Sequence, residues 1–199
     1  IEDAKAFFNG DYNNKEAYYG LRDEFNQSSD IFTRSVIFLY LNRFGYNGLC
    51  RYNSKGIYNV PFGRYVKPYF PERELMFFAE KAQKATFTCV DFETVFEKLP
   101  KDAIVYCDPP YVPISTTAQF TTYSKGGFMQ EQQEKLAELS ESTSESKQIP
   151  VMISNHDTKF TRDIYKEAKL VSLKASRNIS QNKHKRKKTK ELLAIYYSK

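Results

Sequence analysis

The residues with the clearest chemical meaning are Asp108, Pro109, Pro110 and Tyr111, which follow the apolar stretch IVYC at 104–107. The stretch predicts a buried strand, and proline can continue neither a strand ladder nor a helix. The two prolines therefore hold the carboxylate of Asp108 rigidly at the end of that strand. An ordinary Asp-Pro turn is the alternative interpretation of a bare DPP triplet.

Two fixed acceptors, the carboxylate of Asp108 and the carbonyl of Pro109, suit a planar amino group that carries two N–H donors. Held in this way, the amino nitrogen would be ready to attack an electrophile. Tyr111 could stack on the ring that carries the amine, an interaction worth about 1–3 kcal/mol per base. We therefore interpret DPPY after an apolar strand as a functional element.

Composition narrows the class of protein. The chain has 199 residues, of which 41% are hydrophobic, which predicts one domain or a domain with a small insertion. It has no apolar run near the roughly 20 residues of a membrane helix, so we expect no membrane association. The three cysteines form no CxxC pair and the two histidines lie far apart, which predicts a reducing, cytoplasmic setting and no metal site.

The net charge of +6 is concentrated near the C-terminus, where six of the eight residues of KHKRKKTK (183–190) are Lys or Arg. Such a run suits a polyanion, most often nucleic acid. A solvated loop that binds nothing is the alternative.

The elements around DPPY fall into two kinds. Two helices are predicted first, one capped by Asn13 or Asn14 and one after SSD at 28–30, with Phe32, Val36, Leu39 and Tyr40 inward. LCRY and IYNV around NSKG then predict a hairpin.

Strands and helices alternate after Pro71, with strands predicted at ATFTCV, DAIVYC, IPVMIS, KLVSLKAS and ELLAIYY. The alternation predicts a parallel α/β sheet, and ligands bind at the carboxyl ends of its strands. Three strand ends would then share one rim, namely 90–92, 108–111 and 154–155. SESTSES at 140–146 is expected to fray, and the helix over DTKFTRDIYKEA to be capped by Asn155 or Asp157.

Together the stretches FLYLNRFGYNGLCRYN, NVPFGRY, KPYFPE, FFAEKAQKA, VYCDPPYVP and ISNHDT closely resemble the DNA adenine methyltransferase (Dam) family, whose members methylate adenine in GATC. The resemblance covers nearly the whole chain. It implies a Rossmann-like S-adenosylmethionine-dependent methyltransferase sheet, partial in this chain, with a small helical and β-hairpin target-recognition domain. We expect recognition residues at 1–68 and the C-terminal part of the catalytic domain at 69–199.

The resemblance implies methyl transfer from S-adenosylmethionine to the adenine amino nitrogen, after the base has left the duplex. Asp108 and the Pro109 carbonyl would hold the amino group, Pro110 would complete the rigid motif, and Tyr111 would stack on the adenine. Asp91 and Phe92 match positions near the cofactor adenine, and Asp108 adjoins the cofactor. No metal is expected.

The hairpin and its flanks match the region that contacts double-stranded DNA in the family, and arginine suits guanine in the major groove. The resemblance implies that Tyr46 and Asn47 support the opened base step, that Leu49, Arg51, Pro61 and Arg64 contact bases, and that Tyr65 and Lys67 touch phosphate. The remaining predicted DNA contacts are Asn59, Arg177, Asn178, Lys185, Arg186, Lys187 and Lys188.

The family's glycine-rich cofactor loop, FxGxG, has no counterpart among the eight glycines. We therefore expect most of the cofactor site to lie outside these residues and little activity from them alone. We also expect a monomer. Two alternatives remain, a non-catalytic DNA-binding module and a methyltransferase acting on RNA or on a protein amide.

Overall fold

The computed structural model describes residues 1–114, 128–175 and 189–197, which form two compact units, Ile1–Thr88 and Cys89–Lys199. The division between recognition and catalytic residues at 68/69 concerns function and stays a prediction. No helix in the described ranges is long and apolar enough to cross a membrane.

The first unit is helical. Its helices are α1 (Glu2–Lys5), α2 (Lys15–Gln27), α3 (Ile31–Phe44) and α4 (Glu72–Ala82), with 3₁₀ turns at Gly10–Tyr12 and Tyr46–Gly48. The two caps that matter most are local in sequence. Asn14 accepts from the N–H of Ala17 at 2.9 Å, and Asp30 accepts from the N–H of Thr33 at 2.7 Å. Each cap satisfies a backbone donor that the helix itself leaves unpaired.

The inward face of α3 differs from the prediction. Its buried residues are Ile37, Tyr40, Leu41 and Phe44, while Phe32 is 63% exposed. At about 100° per residue, Phe32 lies roughly 140° around the helix from Ile37, so both cannot face the same core. The spacing of three and four residues from Ile37 onward sets the buried face.

Tyrosines form much of the core of the first unit, and their hydroxyls are hydrogen-bonded to the backbone. Tyr18 donates to the carbonyl of Val60 at 3.0 Å, Tyr40 to that of Tyr12 at 2.7 Å, and Tyr58 to that of Leu49 at 3.0 Å. A buried tyrosine combines a large apolar surface with one donor that needs a partner. These bonds therefore attach backbone segments to the core at defined points.

The second unit contains a four-stranded sheet. Its elements are α5 (Phe92–Glu97), β1 (Val105–Cys107), α6 (Gln130–Lys147), β2 (Val151–His156), α7 (Lys159–Ile164), β3 (Lys169–Ala175) and β4 (Thr189–Tyr196). The strand order is β1-β2-β4-β3, with β1 parallel to β2 and β4 antiparallel to both of its neighbours. The sheet is therefore mixed rather than wholly parallel. This mixed α/β sheet fits part of a methyltransferase fold.

The central strand β2 is buried along most of its length, as expected of a strand covered on both faces. Val151 and Ile153 pack with Leu136 of α6, Tyr165 and Leu192 in one apolar cluster. This core fixes the strand ends from which the polar site residues emerge.

Three local predictions for this part of the chain were wrong. Residues 85–90 form no strand, because no described strand pairs with them and pairing is what stabilises a strand. SESTSES remains helical to Lys147, since Thr143 and Ser144 are buried against the unit. Helix α7 is capped by Thr158, which accepts from the N–H of Thr161 at 3.1 Å.

Candidate active site and recognition surface

The carboxyl ends of β1 and β2 lie side by side. Cys107, the last residue of β1, pairs with Ile153 of the parallel strand β2. Asp108 and Ser154 are therefore the next residues on two neighbouring strands, at the edge where such sheets bind ligands. Two of the three predicted strand ends, 108–111 and 154–155, are thus brought together.

Asp108 is exposed, whereas Pro109 directly after it is buried. The hydroxyl of Ser154 lies 2.9 Å from Oδ1 of Asp108 and 3.4 Å from the carbonyl oxygen of Cys107. A hydroxyl has one proton to donate, and the carboxylate is the nearer and more strongly attracting acceptor. The carboxylate of Asp108 is therefore exposed to solvent, and the hydrogen bond from Ser154 fixes its orientation.

A buried amide network holds the backbone that follows. Oδ1 of Asn155 accepts from the N–H of Val112 at 3.0 Å, and its Nδ2 donates to Oε1 of Gln133 at 3.0 Å and to the hydroxyl of Tyr165 at 3.2 Å. Nε2 of Gln133 then donates to the carbonyl of Pro110 at 2.7 Å. Asn155, Gln133 and Tyr165 are all fully buried. Satisfied buried networks of this kind rigidify their surroundings.

His156 contacts the same loop. Its Nδ1 lies 2.6 Å from the carbonyl oxygen of Val112, and its ring meets that of Tyr111 edge to face with centroids 5.0 Å apart. Edge-to-face pairs are a preferred arrangement of aromatic rings. The half-buried ring of Tyr111 is therefore held in place beside the exposed carboxylate of Asp108.

Burial sets the protonation states around the site. It raises the pKa of the Tyr111 hydroxyl. It also raises the pKa of Tyr165 to about 12 and that of the Cys107 thiol to about 11. Cys107 is thus a protonated thiol at neutral pH and a poor nucleophile.

The predicted cofactor residues lie at the start of α5. Oδ1 of Asp91 accepts from the N–H of Glu93 at 2.9 Å and so caps the helix, and Asp91 is exposed. The half-buried ring of Phe92 lies 5.6 Å from that of Phe128. In the described ranges, neither residue hydrogen-bonds to 108–112. No His, Cys, Asp and Glu cluster of the described residues could hold a metal ion.

The predicted hairpin turn forms in the first unit, but its arms are joined by a single antiparallel bridge and do not form the two strands predicted at LCRY and IYNV. Tyr52 and Tyr58 make an antiparallel bridge, and the N–H of Asn53 donates to the carbonyl of Ile57 at 2.9 Å. Gly56 has a φ of 75°, which glycine adopts without strain. The side chain of Asn53 also accepts from the N–H groups of Lys55 and Ile57.

Helix α2 fixes the returning arm of this hairpin. The amide of Asn26 accepts from the N–H of Tyr58 at 2.9 Å and donates to its carbonyl at 3.1 Å. One side chain thereby satisfies both backbone groups of Tyr58, as a neighbouring strand would. Tyr18 and Arg22 both donate to the carbonyl of Val60 on the same arm. The hairpin is therefore rigidly mounted on the helical core.

Asn47 and Arg64, two of the predicted DNA contacts, have left-handed backbone, with φ of 54° and 57°. Asparagine tolerates this conformation, whereas for arginine it is uncommon and strained. The hydroxyl of Tyr65 accepts from the N–H of Asn47 at 2.9 Å, which supports the turn that carries Tyr46. Tyr65, predicted to touch phosphate, thus also has a supporting role within the protein.

Most of the predicted DNA contacts of the first unit are exposed, and Leu49 and Asn59 are half-buried. Arg177, Asn178, Lys185, Arg186, Lys187 and Lys188 lie outside the described residues. All of these DNA contacts stay predictions.

The known proteins that this chain resembles are adenine-specific DNA methyltransferases. Residues 1–179 match the family model of the D12 class N6 adenine-specific DNA methyltransferases. The chain belongs to this family.

Three relatives illustrate how far the likeness extends. The DNA adenine methylase of Vibrio cholerae is 54% identical over 196 residues, covering 98% of this chain and 71% of the relative. That of Haemophilus influenzae is 55% identical over 197 residues, covering 98% and 69%. That of Escherichia coli K12 is 54% identical over 196 residues, covering 98% and 70%. The predicted Dam family and adenine-specific DNA methyltransferase activity are thereby confirmed.

As a member of the adenine-specific DNA methyltransferases, the chain has DNA as its substrate. Sequence reasoning found DPPY and the strand ends but missed Gln133, Tyr165 and His156. The helical spacing of α6 could have identified Gln133. It lies on the same face as Leu136, Ala137 and Ser140, which follow it by three, four and seven residues and are buried. A polar residue on such a face needs a hydrogen-bonding partner.

Proposed function

We propose that this methyltransferase transfers the methyl group of S-adenosylmethionine to the amino nitrogen of adenine in duplex GATC, after the base has flipped out of the helix. The adenine amino group is paired and stacked inside a duplex, so the target base must leave it before reaction. The chemistry is direct transfer without a covalent enzyme intermediate.

The observation that carries the proposal is the exposed, oriented carboxylate of Asp108 above a fixed backbone. Ser154 fixes one carboxylate oxygen at 2.9 Å, and Gln133 already occupies the carbonyl of Pro110 at 2.7 Å. Oδ2 of Asp108 and the carbonyl of Pro109 are then the acceptors we assign to the two N–H groups of the amine. Such preorganised acceptors act without reorganisation at the moment of reaction.

The transfer needs no reactant beyond the cofactor and the base. When bound, S-adenosylmethionine would supply an electrophilic methyl group, and the electron pair of the broken carbon–sulfur bond would remain on its sulfur. The lone pair of the amino nitrogen would form the new bond to carbon. The nitrogen then loses one proton, which Asp108 accepts or passes to water. Tyr111, braced by His156 with ring centroids 5.0 Å apart, would hold the flipped ring by stacking.

The cofactor residues of this chain fit the start of such a site. Asp91 is exposed and uses Oδ1 to cap α5, and the aromatic Phe92 follows it directly. We assign Oδ2 of Asp91 to the amino group of the cofactor adenine and Phe92 to contact with its ring.

GATC recognition is assigned to the exposed side of the hairpin. Arg51 and Arg64 would each contact a guanine, which offers two acceptors in the major groove. Leu49 and Pro61 would contact apolar base edges, and Tyr46 and Asn47 would support the opened step. Tyr65, Lys67 and the basic residues at 177–188 would position the duplex through its backbone.

The deciding experiment measures transfer of labelled methyl from S-adenosylmethionine to a GATC duplex and to duplexes with one base pair changed. The full-length gene product and the 199-residue chain are tested side by side. We expect transfer by the longer protein, on GATC alone, and little by the shorter one. GATC binding without transfer by the longer protein would favour a sequence-binding module, and preference for single-stranded RNA would contradict the proposed substrate.

A further inference from the structure

Arg51 and Asn59 face each other across the hairpin and are joined by three hydrogen bonds. The N–H of Asn59 donates to the carbonyl of Arg51 at 3.1 Å. In return, Nε of Arg51 donates to Oδ1 of Asn59 at 2.8 Å, and Nη2 donates to the backbone carbonyl of Asn59 at 3.0 Å. The side chain is thus tied to the residue that its own backbone pairs with.

These bonds use one particular edge of the guanidinium. The planar group carries five N–H donors, arranged so that Nε and Nη2 form a side edge and Nη1 and Nη2 form an end edge. Asn59 accepts from both atoms of the side edge. The end edge, with two parallel N–H donors, is the one left facing away from Asn59.

We propose that Asn59 is a specificity-determining positioning residue, which fixes Arg51 so that its end edge is presented to a guanine. This inference rests on the proposed contact between Arg51 and guanine. A long arginine side chain normally loses rotamer freedom on binding, and a side chain that is already fixed loses less. Asn59 would therefore improve discrimination at one G·C pair without touching the base itself.

The test compares the Kd of the full-length protein for GATC with its Kd for duplexes in which each G·C pair is replaced in turn. Asn59→Ala should lower the discrimination at one G·C pair by about 2- to 12-fold, the range of one ordinary hydrogen bond. Binding to unrelated duplexes should be unchanged. Asn59→Asp keeps the acceptor, so it should keep the discrimination while its charge weakens binding to every duplex.

A double-mutant comparison separates this inference from the proposed function. Arg51→Ala and Arg51→Ala with Asn59→Ala should lose the same discrimination, because Asn59 acts only through Arg51. If Arg51→Ala discriminates like the wild type, the proposed guanine contact is wrong. Two other results would overturn only the role of Asn59. In the first, Arg51→Ala loses the discrimination but Asn59→Ala keeps that of the wild type. In the second, Asn59→Ala weakens binding to all duplexes equally.

An independent observation in the second unit supports a second proposal. We infer that Ser154 is a positioning residue for the reaction, because its hydroxyl holds Oδ1 of Asp108 at 2.9 Å while Asp108 itself is exposed. Ser154 is only 8% exposed and lies within β2, so its own position is fixed by the sheet. With Oδ1 engaged, Oδ2 is the oxygen directed to the amine.

The test compares Ser154→Ala with Ser154→Thr in the full-length protein. Loss of a hydrogen bond to a charged group should lower kcat by about 12- to 150-fold, with KM for the duplex and Tm near their wild-type values. Ser154→Thr keeps the hydroxyl and suits a strand, so it should restore most of kcat. Unchanged kcat in Ser154→Ala, or equal loss in both variants, overturns the role of Ser154, whereas an inactive wild type would instead overturn the proposed function.

Discussion

The side-chain amide of Gln133 joins helix α6 to the loop after β1, donating to the carbonyl of Pro110 at 2.7 Å while accepting from Asn155 at 3.0 Å. Three segments that are distant in sequence therefore meet at one buried side chain. The rigidity of DPPY thus comes from this network as well as from its prolines.

We predict that Gln133→Ala destabilises the protein by about 1–3 kcal/mol, the usual cost of leaving buried polar groups without partners. The measurement is the free energy of unfolding in urea. Gln130→Ala, on an exposed position at the start of the same helix, is the matched control and should stay within about 0.5 kcal/mol. Equal effects of the two substitutions would mean that the network contributes nothing to stability.

The sequence predicted some local features of this fold and one long-range feature, the shared edge of 108–111 and 154–155. The pairing of particular strands and side chains could not be predicted. Asn14 caps α2 as expected, because a cap depends only on the next three residues. The strand expected at 85–90 failed, since strand formation depends on a partner elsewhere in the chain. DPPY was found by its local rigidity, whereas the partnership of Gln133 with Pro110 spans 23 residues and leaves no local pattern.

Asp108→Asn should abolish methyl transfer and leave DNA binding largely intact. The amide would turn an N–H donor toward an amine that also donates, while its shape stays nearly the same. Transfer of labelled methyl and duplex Kd are measured on the same preparation. A variant that loses DNA binding together with transfer would show that Asp108 has a structural role instead.

The ring of Tyr111, rather than its hydroxyl, should carry its contribution. Tyr111→Phe keeps the face that would stack on adenine and the edge-to-face contact with His156, and we expect kcat/KM close to that of the wild type. Tyr111→Ala should lower kcat/KM by an amount equivalent to about 1–3 kcal/mol. A similar loss in both variants would point to the hydroxyl.

The ion pair between Asp157 and Arg162 should make stability dependent on acid pH. Arg162 donates to the two oxygens of Asp157 at 2.6 and 2.9 Å, and these hydrogen bonds hold the pKa of Asp157 below its usual value. A carboxyl with a lowered pKa in the folded state contributes stability above its unfolded pKa, about 3.9, and loses it as pH falls through the folded value.

Arg162→Met removes the partner, so the wild type should exceed this variant in free energy of unfolding at pH 7, and the difference should shrink toward pH 2. Urea unfolding at several pH values measures both curves. Lys159→Met is the control, because Lys159 pairs with Asp163 rather than with Asp157. A difference that is constant with pH would mean that Arg162 stabilises the protein by packing alone.

The basic run should set the salt dependence of DNA binding. Replacing Lys185, Arg186, Lys187 and Lys188 with Gln removes four positive charges from a segment that we predict to follow the DNA backbone. Each phosphate contact contributes about 0.9 to the slope of log K against log salt, so the slope should fall by up to about 3.6. Affinity should drop alike for GATC and for unrelated duplexes, since phosphate contacts carry no sequence information.

The control replaces Lys98 and Lys101 with Gln, which removes two positive charges instead of four. Both lysines are exposed, one at the end of α5 and one after it. An unchanged slope in the fourfold variant would show that the run is a solvated loop away from the DNA.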